Sequence, residues 1–336
     1  MLPRRAEPYR RLVQFGFLAL TVWIGYRFVL FVAQLEAGIP VMVPRPPGVE
    51  AFLPISSLIS LKYWLLTGVW NDVHPAGLAL FLLILGIGFA LKKAFCSWVC
   101  PFGLLSEYLE KLHRVLFRRQ IRLPGWLDFP LRGVKYLLLA FFLWAILLLM
   151  GEQSLARFID SPYNRVADIK MLKFFALMSD TTMWVLLILL ALSVVIPYFW
   201  CRFLCPYGAL LGVVSIFSPL KVRRKAETCT DCQRCTAACP ASIAVERLAA
   251  VSSDECHACL RCVDACPVEG TLHFSLTARR GRLSGRAIAL IIVLAFVLVS
   301  GTAHLAGRWQ TSITLDEYRY HVQHLDEYGH NRGIVE

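Results

Sequence analysis

Charge is scarce in this chain. Only 17% of its 336 residues are Asp, Glu, Lys or Arg, and 57% are hydrophobic, whereas a soluble domain has roughly 25% charge and 45–50% apolar residues. Acidic residues are the scarcer sign, 23 against 35 basic, for a net charge of +12. No C-x-x-C-H occurs, which excludes a covalently attached c-type haem. The first apolar run has basic flanks but no small-residue cleavage site, so it is expected to stay as a span rather than leave as a signal peptide. No segment resembles a signalling module.

What is present is hydrophobic and organised in runs. Residues 12–34, 77–95, 134–151, 183–200 and 287–306 are apolar stretches that reach or approach the ~20 residues needed to cross a hydrocarbon core. Their number and purity exclude a soluble protein with buried helices. Outside the runs, Lys and Arg fall twenty-five on one side (residues 1–11, 92–135 and 201–286) against nine on the other. That positive-inside bias predicts five spans, with the N-terminus inside and the C-terminus outside, in a bacterial cytoplasmic membrane. The net charge then reflects topology and contact with anionic lipid, and no nucleic-acid partner is expected.

The run CTDCQRCTAACP places Cys229, Cys232, Cys235 and Cys239 in C-x2-C-x2-C-x3-C-P, and Cys256, Cys259, Cys262 and Cys266 repeat the pattern 27 residues later. This is the spacing of bacterial two-cluster ferredoxins, in which the fourth cysteine of each run serves the other cluster. Three thiolates on one tight loop cover one face of a cubane, and the fourth must come from elsewhere. The expected ligand sets are Cys229, Cys232, Cys235 with Cys266, and Cys256, Cys259, Cys262 with Cys239, for two [4Fe-4S] clusters. Zinc would ask for one or two C-x2-C pairs rather than two identical quartets. Disulfides do not suit a segment on the reducing side.

The four cysteines left over fall in FCSWVCPFG (95–103) and WCRFLCPYG (200–208). Aligning the two superposes both cysteines, then proline, an aromatic and glycine, each at the end of a span-length run. The chain therefore reads as a parallel internal repeat of two hairpins, with Cys96, Cys100, Cys201 and Cys205 at one depth. Pro101 and Pro206 suit the first position of a new helix, which makes Cys100 and Cys205 N-caps with thiol pKa values expected to be depressed. After Pro101, Leu105, Tyr108, Leu109, Leu112 and Leu116 recur opposite Glu107, Lys111 and Arg114, the pattern of an amphipathic helix on the membrane surface. If Cys96 and Cys100 are one helical turn apart, their Cβ atoms lie ~5–6 Å apart, too far for a disulfide without unwinding. Three readings stand: a four-thiolate metal or cluster site, a reactive dithiol, and cysteines buried for packing.

Paired C-x3-C-P motifs followed by a two-cluster ferredoxin segment resemble the NapH/NosR family of membrane ferredoxin-type proteins, over about residues 10–275. CcoG-type proteins share part of the layout. The resemblance implies electron transfer at the bacterial cytoplasmic membrane, often linking the quinol pool to periplasmic reductases or supporting metal-cofactor maturation. Two features depart from it. NapH-type chains end inside after the ferredoxin segment, whereas here a further run and an outside tail follow. NosR-type chains carry a large flavin-binding domain that the eleven residues before the first run do not supply.

Weaker signals complete the reading. Arg27 lies inside the first run and either faces a quinone pocket or acidic partner or snorkels outward. His74 and His304 fall near the outer ends of two runs without establishing a haem. His113 is expected to be solvated, and Thr302 in SGTAH to pack. The apolar, proline-punctuated loop 43–68 could roof the bundle or dock a partner, and the acidic tail could contact one too.

The sequence thus predicts an all-α polytopic membrane bundle of five helices with an inserted α+β ferredoxin module. Its expected parts are a first hairpin (1–100), an amphipathic helix and linker (101–133), a second hairpin (134–220), the 2×[4Fe-4S] module (221–285), a fifth span (286–307) and a periplasmic tail (308–336). It is expected to act as an electron-transfer subunit rather than a stand-alone enzyme, partnered by lipid, the quinone pool and other redox subunits. The alternatives are metal (copper) reduction or cofactor maturation through the paired cysteines, and a redox sensor.

Overall fold

A computed structural model describes residues 6–118, 123–277 and 281–328. Arg4, Arg5, Arg119, Arg122, Arg279, Arg280 and Arg332, which enter the basic count above, lie outside the described residues.

The chain begins with α1 (Glu7–Glu36), a 3-10 turn (Pro47–Phe52), α2 (Pro54–Thr67) and α3 (Pro75–Ala90). Then come the short α4 (Ala94–Trp98), α5 (Pro101–Phe117) and α6 (Gly125–Leu143), which continues as a π-turn through Leu149. Next are α7 (Glu152–Ile159), α8 (Pro162–Arg165), α9 (Ala167–Ala176), α10 (Asp180–Val195), a π-turn (Trp200–Leu204) and α11 (Pro206–Ile216). The ferredoxin segment contributes β1 (Lys221–Arg224), α12 (Arg234–Ala237), α13 (Arg261–Asp264), β2 (Leu272–Ser275) and β3 (Arg282–Leu283), and the chain ends with α14 (Gly285–Leu305) and α15 (Leu315–Gln323).

Among the described residues, three helices are long and apolar enough to cross a membrane: α1, α6 with its π-turn, and α14. The other two expected spans are shorter, because α3 and α10 have 16 residues each. With α9, α10 makes an apolar pair bent by 80°. The sequence placed the ends of these runs at residues 95 and 200, but the helices stop at Ala90 and Val195. The cause is local. Lys92 (φ 55°) and Tyr198 (φ 60°) adopt left-handed backbone, which breaks the helix a few residues before each cysteine pair. Many large apolar side chains on the long helices, among them Leu137, Leu148, Leu294 and Leu298, are exposed, as expected of surfaces whose natural solvent is lipid.

The chain divides into two compact units, one of residues 1–19, 84–139 and 185–295, the other of 20–83, 140–184 and 296–336. The division falls within α1, α3, α6, α10 and α14. The first unit contains both C-x3-C-P motifs and the ferredoxin segment. Its antiparallel sheet has the order β1-β2-β3, with Val222 opposite Phe274 and Phe274 opposite Leu283. Central β2 is buried along its whole length, because a neighbour lies on each edge.

The core of the second unit gathers Phe28, Phe31 and Leu35 of α1 with Leu155 and Ile159 of α7, Ile169 of α9 and Tyr318 and Val322 of α15. The tail therefore packs into its own protein: Tyr318 meets Phe31 edge-on at 5.5 Å between centroids, and Thr314 and Glu317 close a capping box on α15. The loop 43–68 folds as the 3-10 turn and α2, which packs against α7. Beneath it Arg45 donates from Nε to Asp168 and from Nη1 to Glu50, each at 2.7 Å, with all three side chains buried. His74 donates from Nε2 to the Asn164 carbonyl at 2.7 Å. Burial would raise the Glu50 carboxyl, but Arg45 and His74 hold it below the ordinary range. His304 and Thr302 are exposed, and Thr302 hydrogen-bonds back to Leu298 of its own helix. Arg27 lies over the Trp23 ring at 5.4 Å.

Candidate functional site

Each ferredoxin loop winds around a cavity. One is lined by Cys229, Cys232, Cys235 and Cys266 together with Pro267 and Val268. The other is lined by Cys256, Cys259, Cys262 and Cys239 with Pro240 and Ile243. Each places three thiols from one run beside the fourth of the other run, a donor set that fits a cubane. The loops wind the same way because equivalent residues turn left-handed: Asp231 and Gln233 in the first, Ala258 and Leu260 in the second, with φ between 48° and 59°. The two cavities differ in exposure. Cys232 is exposed and Cys229 half-buried, whereas Cys256, Cys262 and Cys239 are buried. Burial pushes the Cys239 thiol up to about 12.

The second loop rests on the first C-x3-C-P motif. Ser97 Oγ donates to the carbonyl of His257 at 2.6 Å, and Trp98 Nε1 donates to that of Ala258 at 3.1 Å. Burial, then Lys93, Lys135 and Arg202, hold the His257 imidazole neutral, with a pKa of about 3. Further ties fix the module. Asp264 accepts from the backbone N–H groups of Ala6 and Glu7, meeting the free donors at the start of α1. Arg261 pairs with Glu110 at 2.6 Å, and Lys135 and Tyr136 bond to Glu255 and Asp254. None of these partners has a local sequence signal; only folding brings them within reach.

The two C-x3-C-P motifs meet. Ser106, one turn into α5, lies 3.4 Å from Cys201 Sγ, and Phe95 packs edge-on against Tyr207 at 6.3 Å. Cys96, Cys100, Cys201 and Cys205 are close enough to act on one another electrostatically. Cys100 and Cys205 are the N-caps of α5 and α11, with Pro101 and Pro206 just inside each helix. The Gly208 N–H donates to Cys205 Sγ at 3.2 Å. Glycine is required at Gly103, where a Cβ would lie 1.8 Å from the Cys96 carbonyl oxygen.

Three expectations are corrected here. Cys96 and Cys100 do not share a continuous helical turn, because α4 ends at Trp98 and Cys100 is extended (φ −64°, ψ 124°). The thiols at the helix N-termini are not depressed. Burial outweighs the N–H groups, raising Cys100 to about 11 and pushing Cys205 up as well. His113, expected to be solvated, is buried. Glu107 and Glu110 are buried too, while Leu105, Tyr108, Leu112 and Leu116 are exposed. His113 hydrogen-bonds through Nδ1 to the Val194 carbonyl at 2.9 Å, and Glu107 receives Arg10 at 2.5 Å and Gln14 at 3.2 Å.

None of the twelve cysteines is in a disulfide. Among the described residues no three Cys, His, Asp or Glu side chains are close enough to hold a single metal ion.

Comparison with known proteins adds two family models. One, described as a 4Fe-4S binding domain, matches residues 73–124 and 181–225, and thus both C-x3-C-P motifs. The other, a 4Fe-4S dicluster domain, matches residues 221–267. The chain is 44% identical over 333 residues to the putative electron transport protein YccM of Escherichia coli, covering 97% of this chain and 93% of that one. It is 32% identical to protein NirI of Paracoccus denitrificans over 76% of this chain, but that match spans about a third (34%) of NirI. With the ferredoxin-type protein NapH of Haemophilus influenzae identity is 29%, over 67% of this chain and 72% of NapH. No solved structure matches.

Proposed function

The chain belongs to the NapH/NosR-like family of membrane-bound ferredoxin-type 4Fe-4S proteins, and on that premise we propose a one-electron route from its ferredoxin module to its paired C-x3-C-P motifs. It is an electron-transport protein with iron–sulfur clusters. When bound, each [4Fe-4S] cluster accepts or gives one electron at a time; the protein supplies position, burial and charge.

Cys229, Cys232, Cys235 and Cys266 would hold the cluster nearer solvent, and Cys256, Cys259, Cys262 and Cys239 the buried one. The lining of the two cavities supports this division. The exposed set suits exchange with a redox partner, and the buried set suits transfer inward. Cys96, Cys100, Cys201 and Cys205 would form a further redox centre, each hairpin supplying half.

The observation that carries the reading is the pair of hydrogen bonds from Ser97 and Trp98 to the second cluster loop. Residues inside one cysteine motif hold the backbone that wraps the neighbouring cluster, so the two centres are coupled through a few covalent and hydrogen bonds. Five apolar runs, three of them long crossing helices and two shorter, together with the basic asymmetry of the sequence, support five spans with the ferredoxin module on the cytoplasmic side and the C-terminus periplasmic. A quinol would then be the membrane-side partner.

The test is iron and acid-labile sulfide per chain on anaerobically purified full-length protein, wild type against Cys96→Ala/Cys201→Ala, with copper and zinc measured alongside. Iron above about eight per chain in wild type, lost in the variant, supports a third cluster. About eight in both, with no other metal lost, overturns the shared centre. Loss of copper or zinc alone would favour metal maturation instead. Reduction of the clusters by a quinol in proteoliposomes tests the membrane-side partner, and its failure would remove quinol from the scheme.

A further inference from the structure

Lys93 lies between α3 and α4, three residues before Cys96. Its side chain is 1% exposed, and among the described residues its Nζ makes no hydrogen bond. Its nearest carboxylate oxygen is Glu255 Oε2, at 3.9 Å. The other oxygen of Glu255 is taken by Lys135, itself fully buried, so one carboxylate faces two ammonium groups. Lys92, beside it, is engaged elsewhere, donating from Nζ to the Ser253 carbonyl at 3.0 Å. Two buried ammonium groups sharing one carboxylate leave a positive charge uncompensated, among the costlier arrangements a fold can contain. A second anion beside Lys93 would complete the balance.

The surroundings say where that anion belongs. The charge of Lys93 acts on Cys96, Cys201 and Cys205 of the paired motifs and on Cys256 of the second cluster set. Two helices, α5 and α11, begin at this same place with Cys100 and Cys205 as their caps, directing their positive ends at the cysteines. Lys92, Lys93, Arg132, Lys135 and Arg202 stand against Asp128, Asp254 and Glu255, an excess of cations. Four thiolates around an iron–sulfur core carry net negative charge, whereas a disulfide or a set of neutral thiols carries none.

We propose that the four cysteines hold an anionic, thiolate-ligated centre, and that Lys93 is its counter-cation, shared with the second [4Fe-4S] cluster. The inference rests on the four-cysteine reading above and adds the charge of that centre and the residue that couples it. One electron leaves one centre, which is oxidised by one unit, and enters the other, which is reduced by one unit. The step moves one electron and no proton. The positive charge of Lys93 favours the reduced form of both centres. Lys93 is a positioning residue, acting through charge.

The experiment is an EPR-monitored redox titration of the full-length protein in detergent, comparing wild type with Lys93→Met, Lys93→Arg and Glu255→Gln. Lys93→Met should lower the reduced-to-oxidised ratio of the second cluster about tenfold at fixed potential, some 59 mV for one electron. The Cys229-side cluster should not move, and Lys93→Arg should restore the wild-type ratio. Glu255→Gln, which leaves the cation uncompensated, should shift the second cluster the opposite way, a reversal that a merely structural role would not give. Where Lys93→Met fails to assemble, Glu255→Gln alone decides. Unchanged potentials with iron retained, or equal shifts in both ferredoxin clusters, overturn the role of Lys93. A Cys96→Ala/Cys201→Ala variant that loses no metal overturns the centre itself, and the two failures are thereby distinguished.

Discussion

Trp98 donates from its indole Nε1 to the carbonyl oxygen of Ala258 at 3.1 Å, joining residues 160 positions apart. Trp98 is the middle residue of a C-x3-C-P motif, and Ala258 is a left-handed residue (φ 48°) between two cluster cysteines. The indole is fully buried and so holds one cysteine loop against the other. Trp98→Phe keeps most of the ring and strands the carbonyl, which costs about 1–3 kcal/mol. The variant should lose its iron–sulfur absorbance at a lower temperature than wild type while starting with the same iron content. An unchanged melting profile would count against this contact as the tie between the two loops.

The two halves of the repeat should respond differently to the same substitution. In Gly103→Ala the new Cβ would sit 1.8 Å from the Cys96 carbonyl oxygen, whereas in Gly208→Ala the nearest atoms are 3.5 Å away. Gly103→Ala should cost at least about 3 kcal/mol, the upper part of the usual range for overpacking. Gly208→Ala should be neutral, or gain up to about 1 kcal/mol from helix propensity. Thermal stability of the two purified variants checks this, and equal effects would contradict the asymmetry.

Crossed ligation gives a prediction that the order of cysteines along the chain would get wrong. Cys239 belongs to the first run but lines the cavity of the second. Cys239→Ala should therefore leave the Cys229-side cluster intact and remove the buried one, reducing ferredoxin-module iron from about eight to about four. EPR distinguishes the two by their exposure to a soluble reductant. Loss of the exposed cluster instead would reverse the ligand assignment.

Glu107 supplies a pH dependence. Burial opposes its charge, but Arg10 and Gln14 hold the carboxyl at about 2, below its ordinary 4.5. A carboxyl whose folded pKa is depressed stabilises the protein above its unfolded pKa, and that contribution fades as pH falls toward the folded value. The gap in stability between wild type and Glu107→Gln should be roughly 3 kcal/mol at pH 7 and should shrink between pH 4.5 and 2. Tryptophan fluorescence melts at each pH measure the gap independently of the clusters. A gap that stays constant would rule out the Arg10 pairing as its source.

Arg45 neutralises two buried carboxylates at once, Glu50 and Asp168. Arg45→Met should destabilise the second unit by about 3–5 kcal/mol, the usual cost of stranding a buried charge. Limited proteolysis within residues 43–68 is the measurement, and wild-type resistance would show that the carboxylates find other partners.

The sequence by itself determined the metal chemistry and the apolar runs, because both are written in short-range pattern. A cluster loop is a dozen residues of fixed cysteine spacing, and a span is a continuous apolar stretch, so neither needs a distant partner to be legible. The pairing of two C-x3-C-P motifs was legible for the same reason, as were the N-cap positions of Cys100 and Cys205. Where the runs end was not, because the left-handed Lys92 and Tyr198 are ordinary residues in the sequence and carry no glycine to announce the break.

Tertiary structure decided which face of α5 turns inward. The pattern gave an apolar and a charged face, and Glu107 and Glu110 on the charged one are buried because Arg10, Gln14 and Arg261 come from distant segments to meet them. The same holds for Lys93, Lys135 and Glu255, separated by as much as 162 residues and joined by burial of opposite charge. Ser97 and Trp98 looked like spacer between cysteines and proved to be the contact with the neighbouring loop. Covalent spacing fixes which atoms can bind a metal. Only the packing of remote segments fixes the charge around that metal and the path to the next one.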